Sequence, residues 1–449
     1  MGCTDSYTPD ASAADVQALG LQVTESPSPV ARHRASVSLF HPDLEASFVS
    51  RPNRFLILAR AGDGTAEGSR AVDGRLGLTD QPASPVTELL SCHCPNPGRI
   101  LEFCLPGTHL FLEKRRGFPK PGTPAPKTLW TAVALRYHDS VVCLAPVRMN
   151  KAAEALVFPD MFPKASLIIP EFSLGSSRFD FLVLDSAGQR HLVEVKSCSL
   201  VEHGVAMFPD APSLRAIRHL EELTVLAGQG YQCHVLFMIA HGQPHRLVPN
   251  LHTDPAFSVA LCRSDAAIDI RAVELQLDEQ GIATLVQAQV PVDLSYGNLA
   301  GQDRGSYLIT LELTDPVSVA VGALGTIAFE AGWYVYAGSA QRGLSSRMAR
   351  HLRKTRKARH WHLDYLTPHA NGIEAWAVAS ERNLECGLAE GLLSIGGREV
   401  PGFGSSDCGC SSHLFWLPVA PRTDPEFLSL LAHFRHVVAL APDLPWINT

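Results

Sequence analysis

Short apolar runs separated by glycine- and proline-rich turns dominate residues 46–127. They include Ser-Phe-Val-Ser from residue 47, Phe-Leu-Ile-Leu-Ala from residue 55 and His-Leu-Phe-Leu-Glu from residue 109. Runs of this length between turn residues are typical of β-strands. The pattern predicts a small five-stranded barrel over residues 46–127, with a surface insertion at the glycine-rich residues 61–80.

Residues 128–292 combine strand-like and helix-like periods. Strands are predicted at residues 128–145, 179–184, 191–196 and 233–240, and helices at residues 149–158 and 212–226. The second helix carries an apolar stripe formed by Leu214, Ile217, Leu220, Leu223 and Val225. Strands that are flanked by helices predict an α/β domain whose mixed sheet is covered on both faces.

The rest of the chain divides into a leader, a linker, a third unit and a tail. Residues 1–45 are rich in Ala, Ser, Pro and Asp without periodicity, so we expect a disordered leader. A linker is predicted at residues 293–302, a third α/β domain at 303–420, and a tail at 421–449 whose amphipathic helix covers residues 425–440. The predicted fold class is therefore a multidomain α/β protein with an N-terminal β-barrel.

Composition limits the class of protein. The 449 residues are 46% hydrophobic and 18% charged, and the net charge of -7 excludes a uniformly basic surface but not local basic patches. No apolar run approaches the roughly 18 residues that span a bilayer, and the N-terminus lacks the features of a signal peptide. Eleven cysteines, several of them in apolar strand-like text, indicate reduced thiols. We expect a cytoplasmic protein without membrane or disulfide-linked partners, and the sequence leaves its oligomeric state open.

A first group of chemically active residues lies in two neighbouring predicted strands. Glu194 and Lys196 interrupt an apolar run, and their side chains point the same way because residues i and i+2 share one face of a strand. The turn at Gly188 predicts a hairpin in which Asp180 faces Glu194. Two carboxylates suit Mg²⁺ or Mn²⁺, which would polarise a phosphodiester while Lys196 orients water or stabilises charge on the phosphate. An isolated Glu-x-Lys is usually a structural ion pair, but the nearby aspartate within apolar strands favours a metal site.

Residues 46–280 resemble the sugar fermentation stimulation protein (SfsA) family. The resemblance rests on five segments: His93-Cys-Pro-Asn-Pro-Gly-Arg99, Ser177-Arg178-Phe-Asp180-Phe, Glu194-Val-Lys196-Ser197, Met207-Phe-Pro-Asp-Ala211 and Arg218-His219-Leu. It implies an OB-like barrel joined to a PD-(D/E)XK nuclease-like domain that binds or cleaves DNA or RNA.

The same resemblance implies roles for individual residues. Asp180, Glu194 and Lys196 would form the nuclease signature, with Glu171 as an additional acid. Arg178, Arg215 and His219 are assigned to nucleic-acid binding. A lone helical histidine is as often a packing residue, so both interpretations of His219 stay open.

The barrel segment Arg51-Pro-Asn-Arg54-Phe55 matches a basic family segment that precedes an aromatic residue. A base could stack on Phe55 while Arg51 and Arg54 contact phosphates, although packing of Phe55 in the barrel core is the favoured interpretation. Arg99 lies on a loop that could reach the cleft and is also assigned to nucleic-acid binding. The nearby Cys92-His-Cys94 offers only three donors, so zinc is not expected there.

A second group lies between residues 305 and 416. Tyrosines, an arginine and one carboxylate can form a single-metal phosphodiesterase, in which a tyrosine helps to activate water. The region resembles the GIY-YIG nuclease superfamily, and in particular a branch of unassigned function that carries Trp361-His-Leu-Asp364-Tyr365-Leu and Gly402-Phe-Gly-Ser-Ser-Asp407-Cys-Gly-Cys410-Ser-Ser-His413-Leu. This resemblance maps the site onto Tyr307, Tyr336, Arg347, His351 and Glu385, with Glu385 as the metal ligand. The first motif reads Gly-Ser-Tyr in place of Gly-Ile-Tyr, and its spacing to the second motif is unusually long.

Two further features accompany the second group. Residues 342–359 contain eight Lys or Arg and no acid, which favours a phosphate-binding surface, with Arg350 among its contacts, over an ordinary solvated helix face. Cys408, Cys410 and His413 could bind a metal with Cys386 as fourth ligand. Because C-x-C-x-x-H is not a standard zinc spacing, structural thiols are the favoured interpretation.

The sequence therefore predicts a nucleic-acid-binding, Mg²⁺- or Mn²⁺-dependent nuclease. The main alternative is a DNA-binding regulator of sugar-utilisation genes that uses a nuclease fold without cleavage. A scaffold that joins other nucleic-acid-processing proteins is a third hypothesis.

Overall fold

The computed structural model describes residues 36–61, 89–116, 128–175, 177–354 and 358–440. Residues 1–35 of the expected leader and residues 62–80 of the predicted insertion lie outside these ranges. None of the helices within them is both long and apolar enough to cross a membrane. Three domains follow one another along the chain, and the fold is the predicted multidomain α/β architecture with an N-terminal barrel.

A closed barrel forms the first domain. The first strand of the chain, β1 (Ser36–Ser38), belongs to the sheet of the second domain. The barrel strands are β2 (Leu44–Asn53), β3 (Leu56–Ala61), β4 (Leu89–His93), β5 (His109–Lys114), β6 (Trp130–Tyr137) and β7 (Ser140–Cys143). The strand order is β4-β3-β2-β5-β6-β7, and the parallel pairing of β4 with β6 closes a five-stranded ring. Alternate side chains such as Phe48, Ile57 and Leu110 fill its interior, as the two-residue period of a strand requires.

The barrel extends further along the chain than the sequence pattern predicts. Residues 128–145 are predicted in the second domain, but β6 supplies the closing strand and β7 pairs with it. Closure forms hydrogen bonds that a four-stranded sheet would leave unpaired at its edges. The boundary predicted at residue 127 is therefore wrong, and it lies near residue 145.

The second domain is built on a seven-stranded mixed sheet. Its strands, together with those of a small neighbouring sheet, are β8 (Ala165–Leu174), β9 (Ser177–Asp185), β10 (Arg190–Cys198), β11 (Leu200–Glu202), β12 (Val205–Phe208), β13 (Gln232–Ile239), β14 (Arg246–Pro249), β15 (Asp269–Leu277) and β16 (Ile282–Gln287). The large sheet has the order β1-β16-β15-β13-β10-β9-β8, and β11, β12 and β14 form the small sheet. Strands β10, β13 and β15 are parallel, and the other pairs of the large sheet are antiparallel.

Helices and the barrel cover both faces of this sheet, as predicted. The helices are α1 (Met149–Ala152), α2 (Phe158–Met161), α3 (Leu214–Ala227), α4 (Pro255–Ser264) and α5 (Gly297–Ala300), with a π-turn over Ala153–Val157 between the first two. One face packs against this α1–α2 segment and against Phe111 and Val133 of the barrel. The other face packs against α3 and α4, whose first turns are capped by the side chains of Ser213 and Asp254.

Two predicted irregular segments are ordered parts of this domain. Strand β1 pairs with β16, so residues 36–38 do not belong to a disordered leader. The linker predicted at residues 293–302 contains α5, whose Leu299 and Ala300 are buried. Burial of these apolar side chains offsets the entropy of ordering, which a local composition argument does not capture.

The third domain has a five-stranded antiparallel sheet of order β21-β17-β20-β23-β22 and a small hairpin, β18–β19. The strands are β17 (Gly305–Leu313), β18 (Val317–Ala320), β19 (Thr326–Phe329), β20 (Gly332–Ala340), β21 (Ile373–Ala379), β22 (Arg398–Glu399) and β23 (Leu414–Leu417). The helices are α6 (Leu344–Leu352), α7 (Leu363–Leu366), α8 (Glu385–Ser394) and α9 (Pro425–His433), and a π-turn over Phe434–Val438 follows the last.

The predicted tail is part of the third domain. Phe427 and Leu431 of α9 pack in one core cluster with Trp376 and Val335 of the sheet. The α-helix ends at His433, and the helical backbone continues as the π-turn to Val438, two residues short of the predicted end at residue 440. A separate tail at residues 421–449 is therefore wrong for its described part, residues 421–440.

Hydrogen bonds join the second and third domains. His252 accepts a hydrogen bond from the backbone N–H of Ala379 at its Nδ1 atom, and its Nε2 atom donates to the carbonyl oxygen of Arg435. The hydroxyl of Tyr296 donates to the carbonyl oxygen of Leu440. The third domain is thus docked on the second through buried polar contacts.

Candidate active sites

The predicted hairpin brings Asp180 and Glu194 to the same level of two adjacent strands. The β9–β10 ladder pairs Arg190 with Leu184 and ends at Val193 with Phe181, so Asp180 and Glu194 are next in register. At this point the Asp180 carboxylate replaces a backbone partner, because its Oδ2 atom accepts the N–H of Val195 at 2.8 Å. The local end of strand pairing thereby opens space for two acidic side chains.

Glu194 lies at the centre of a buried polar cluster. Its side chain is only 6% exposed, and its Oε1 atom lies 2.5 Å from Lys196 Nζ and 2.6 Å from His219 Nδ1. Its Oε2 atom is buried and has no hydrogen-bond donor among the described residues. A carboxylate oxygen in this state is costly unless a cation or a donor approaches it.

The two carboxylates respond differently to burial. Burial and the neighbouring Glu194 raise the pKa of Asp180, and the hydrogen bonds from Asn150 and Val195 oppose this shift. Burial also acts to raise the pKa of Glu194, but Lys196 and His219 outweigh it and the net shift is downward. The ionised form is therefore favoured at Glu194 by the neighbouring positive charges and disfavoured at Asp180 by burial and by Glu194.

Helix α3 brings two predicted residues beside Glu194. His219 is buried and donates from Nδ1 to Glu194, while its Nε2 atom lies 3.5 Å from Arg215 Nε. These two contacts favour the imidazole tautomer that carries its proton on Nδ1. Arg215 is exposed at the outer end of this hydrogen-bonded series, where its guanidinium is accessible to an anion.

Asn150 is a site residue that the sequence analysis missed. Its side-chain amide on α1 donates to Asp180 Oδ1 at 2.9 Å. The contact joins residues that are separated by 30 positions and orients the carboxylate. A polar residue in a short helix gives no sign of its partner, so only the packed structure identifies this one.

Glu171 and Arg178 lie outside the buried cluster. Glu171 has a positive φ of 54°, and its carboxylate forms an ion pair with Arg178 Nε at 3.0 Å on an exposed surface. The structure does not place Glu171 among the hydrogen bonds of Asp180 and Glu194. The β8–β9 ladder pairs Pro170 with Phe181 and Phe172 with Phe179, so Glu171 lies opposite Asp180 in register, and its role as an additional acid stays a prediction. Arg178 already has an acidic partner.

In the barrel, Arg51 has a structural role. Its guanidinium donates to the carbonyl oxygens of Arg54, Asn96, Gly98 and Arg99 at 2.7–2.8 Å. These four bonds hold the 96–99 loop and leave little donor capacity for a phosphate. The predicted phosphate contact of Arg51 is therefore wrong.

Phe55 lies on the surface, and the favoured prediction of core packing is wrong. Its side chain is 47% exposed, and the guanidinium carbon of Arg54 lies 4.8 Å from its ring centroid. Arg54 and the exposed Arg99 line a groove of about 460 Å³, which also contains Arg422 of the third domain. The stacking interpretation of Phe55 with Arg54 therefore remains compatible with the structure.

A Gly98→Ala substitution should loosen the junction between the barrel and the second domain. An added Cβ atom would lie 1.9 Å from Asp210 Oδ2, which is buried, so the carboxylate must move. We expect a loss of roughly 1–3 kcal/mol in the free energy of unfolding, measured by urea denaturation. Gly301→Ala is the control because its nearest contact is 3.7 Å and its φ is -76°. Equal stability of the two variants would contradict this prediction.

The third domain brings the second predicted group together. Tyr307 Oη lies 3.0 Å from His351 Nε2, and Arg347 lies within hydrogen-bonding reach of the same hydroxyl. The charge of Glu385 contributes to raising the pKa of Tyr336, so these two side chains lie near each other. Tyr307 pairs with Gly338, where an added Cβ atom would lie 2.5 Å from the Tyr307 hydroxyl, so this strand needs glycine. Burial raises the pKa of both tyrosines, which therefore remain protonated at neutral pH.

Glu385 already has two hydrogen-bond partners. Its Oε2 atom accepts from Ser339 Oγ at 2.5 Å, and its Oε1 atom lies 3.0 Å from His413 Nδ1. The sequence did not predict that Ser339 and His413 are hydrogen-bond partners of Glu385. Their contacts connect the predicted metal ligand to the loop that carries Cys408 and Cys410.

Two predicted nucleic-acid contacts in this domain are internal. Arg350 forms a bidentate ion pair with Asp364 at 3.0 and 2.8 Å, and His351 is 99% buried against the tyrosines. Neither side chain is available to a phosphate, so both predictions are wrong. Within the basic run, Lys354 also binds backbone carbonyls and Arg347 stacks on Trp361. Residues 355–357 of the run lie outside the described residues.

Comparison with family models supports the same division of the chain. Residues 49–144 match the SfsA N-terminal OB domain, and residues 147–281 match the sugar fermentation stimulation protein RE domain. Residues 306–435 match a domain of unknown function, DUF123. The GIY-YIG assignment of this last domain stays a prediction.

Curated relatives agree with these matches. A sugar fermentation stimulation protein homolog of Moorella thermoacetica is 32% identical over 251 residues, which cover 55% of this chain and 96% of the relative. The homolog from Natranaerobius thermophilus is 35% identical, and the alignment covers 75% of its length. The homolog from Methanothermobacter thermautotrophicus is 33% identical, and the alignment covers 87% of its length. Each relative aligns with about half of this chain.

One solved structure is similar over the same extent. Pyrococcus furiosus SfsA, described in complex with Ca²⁺, is 25% identical, and the similarity covers 57% of this chain and 99% of that protein. The TM-score is 0.46.

Proposed function

This chain belongs to the sugar fermentation stimulation protein family, and from that premise we propose that it is a metal-dependent nuclease. In this proposal Asp180 and Glu194 bind the cation, Lys196 acts on the phosphate or the attacking water, and the substrate is DNA or RNA. The third domain adds a candidate second site at Tyr307 and Glu385.

One observation carries the proposal. Asp180 and Glu194 stand side by side where a strand pair ends, and Glu194 Oε2 is buried without a donor among the described residues. A structural ion pair would use both carboxylate oxygens or expose the free one to water. An oxygen held ready beside a second carboxylate suits a cation that approaches from outside.

The donor set fits Mg²⁺ or Mn²⁺. These cations prefer carboxylate oxygens and retain several waters, so two acidic side chains are sufficient. Asp180 accepts one hydrogen bond at each oxygen, which leaves lone pairs for coordination. When bound, the cation would supply charge stabilisation for the phosphodiester and a more acidic water.

The surrounding side chains have separate roles in this proposal. Asn150 and the N–H of Val195 orient Asp180, and His219 orients Glu194. Lys196 can donate a hydrogen bond to a non-bridging phosphate oxygen or hold a water, since its ammonium has three donors and one is used by Glu194. Arg215 lies at the entrance and can neutralise a neighbouring phosphate.

A cleavage assay tests this function. Wild type should cut at least one of four substrates, single- or double-stranded DNA or RNA, in Mg²⁺ or Mn²⁺, and EDTA should stop the reaction. Asp180→Asn should lower the rate by roughly 10³-fold while binding in EDTA is retained. Asp160→Asn is the matched control, since Asp160 is an exposed aspartate of α2.

The same assay separates the alternatives. Binding without cleavage by wild type on every substrate would support the regulator hypothesis and overturn the nuclease proposal. Cleavage that survives Asp180→Asn but is lost in Glu385→Ala would move the activity to the third domain. A protein that binds none of the four substrates at low salt would support a scaffold.

A further inference from the structure

Three cysteines and one histidine of the third domain meet in space. Cys386 lies in the first turn of α8, Cys408 and Cys410 lie in the loop between β22 and β23, and His413 precedes β23. One ligand atom from each residue lies within 4.8 Å of the ligand atoms of the other three. The sequence offered Cys386 as a possible fourth ligand, and the structure brings it to the other three despite their separation along the chain. The preference for structural thiols rested on the unusual C-x-C-x-x-H spacing alone.

We propose that Cys386, Cys408, Cys410 and His413 bind one structural Zn²⁺ ion. Three thiolates and one imidazole form a known zinc donor set with tetrahedral geometry, in which ligand atoms are roughly 3.5–3.8 Å apart. The observed separations need only small side-chain adjustments to reach this geometry. Four protein ligands leave no open position, so the ion serves structure and not hydrolysis.

His413 is oriented as a zinc ligand. Its Nε2 atom lies 3.4 Å from Cys408 Sγ and faces the cysteines, while its Nδ1 atom lies 3.0 Å from Glu385 Oε1. A metal-bound histidine commonly donates its other ring N–H to a carboxylate, which fixes the tautomer and strengthens the ligand. Glu385, held in turn by Ser339, is therefore a positioning residue for His413.

The loop has a structural need for such an ion. Residues 400–413 join two strands without any helix or strand of their own, although Phe403 and His413 are buried. Irregular connections of this length are uncommon in compact domains unless something holds them. A zinc ion would fasten the loop to α8 and thereby fix Glu385 next to Tyr336.

A disulfide satisfies this cluster less well. One disulfide among the three cysteines would leave the third thiol and His413 without a partner from the cluster. Zinc uses all four groups, and the three thiols lose their protons to solvent on binding. Exposure of Cys386 and Cys408 also makes free thiols at this position vulnerable to oxidation.

The test measures metal content of the full-length protein, purified under reducing conditions. Elemental analysis should find about one zinc per chain. The Cys408→Ser/Cys410→Ser double variant should lose it, and Cys262→Ser, at a half-buried thiol of α4, should retain it. Replacement by Co²⁺ in wild type should give the thiolate charge-transfer and d–d absorption of tetrahedral cobalt.

Two further measurements keep the proposal falsifiable even if the double variant does not fold. Glu385→Gln should retain zinc but bind it about 10–100-fold more weakly in competition with a chelating dye. Denatured, unreduced wild type should show eleven reactive thiols after the metal is removed. A count of nine thiols would reveal a disulfide and would overturn the proposal. The proposal would also be overturned if wild type contained no zinc and gave no cobalt spectrum, or if the double variant retained zinc.

Discussion

A Lys196→Met variant should lose at least about 10²-fold of its metal-dependent cleavage rate while its affinity for nucleic acid in EDTA changes little. The Lys196 ammonium lies 2.5 Å from Glu194 Oε1, and the Lys196 side chain is only 13% exposed, so no surface lysine can replace it. Methionine retains most of the apolar stem but donates no hydrogen bond. The expected loss of cleavage rate would therefore come from the missing charge and hydrogen bond at the reacting phosphate, and not from a cavity left by the shorter side chain.

The same variant should make stability depend more strongly on Mg²⁺. Without Lys196, Asp180 and Glu194 face each other with less neutralising charge, and breaking a buried pair costs about 3–5 kcal/mol. A bound cation would replace the missing positive charge. The melting temperature in EDTA should fall, and Mg²⁺ should restore more of it than in wild type.

Lys164→Met is the matched control because Lys164 is an exposed lysine of the same domain. It should cut at the wild-type rate and respond to Mg²⁺ as wild type does. If Lys196→Met cut at the wild-type rate, Lys196 would be only a structural partner of Glu194. If Mg²⁺ stabilised neither protein, the assignment of a cation to these carboxylates would be wrong.

Acidification from pH 7.5 to pH 5 should destabilise the folded chain through buried neutral histidines. Burial lowers the pKa of His241 to about 4 and that of His436 to about 3, and it lowers the pKa of His252 well below its ordinary value of 6.5. Below pH 6.5 the unfolded chain binds protons that the folded chain does not, so stability falls with pH down to the folded-state pKa values. At pH 5, His241 and His436 should each cost about 2 kcal/mol.

Urea denaturation across this pH range can isolate one histidine. His436→Gln should reduce the loss of stability on acidification, whereas His369→Gln, at an exposed position, should leave it unchanged. Burial raises the pKa of Glu102 to about 7, which acts in the opposite direction in all variants and cancels in the comparison. The prediction fails if His436→Gln loses as much stability as wild type.

The docking of the third domain should respond to the same titration. His252 accepts the Ala379 N–H at Nδ1, and a protonated ring cannot accept that bond. Partial release of the domain should therefore precede global unfolding at low pH, and limited proteolysis near residues 293–302 would detect it.

Local periodicity located the central elements of the second domain but not β8, β11, β12, β14, β15 and β16. The strands at Ser177–Asp185 and Arg190–Cys198 and the helix at Leu214–Ala227 overlap their predicted positions closely. The predicted apolar stripe of this helix is only partly right, because Leu220 and Leu223 are buried but Leu214 and Val225 are exposed. The same reasoning placed Glu194 and Lys196 on one face. The barrel boundary failed because closure joins β4 to β6 across nearly forty residues, and no local signal records that pairing.

Side-chain partners were less accessible to sequence reasoning than side-chain faces. Arg51 and Arg350 looked like free cations, but their guanidinium groups are used by backbone carbonyls and by Asp364. Phe55 looked like a core residue and is exposed. Residue type gives the available hydrogen-bonding groups, but only the neighbours in space show which groups are already used.

The sequence by itself determined the central strands β9, β10 and β13, the helix α3, the family and the acidic pair with its lysine. These depend on short-range periodicity or on motifs whose members lie close along the chain. The tertiary structure alone showed that Asn150 holds Asp180. It also decided between the alternatives that the sequence left open, because His219 joins Glu194 and Cys386 meets the loop of Cys408 and Cys410. Each of these contacts joins distant segments, and its geometry is set by how the helices pack on the sheets, a property of the whole folded chain.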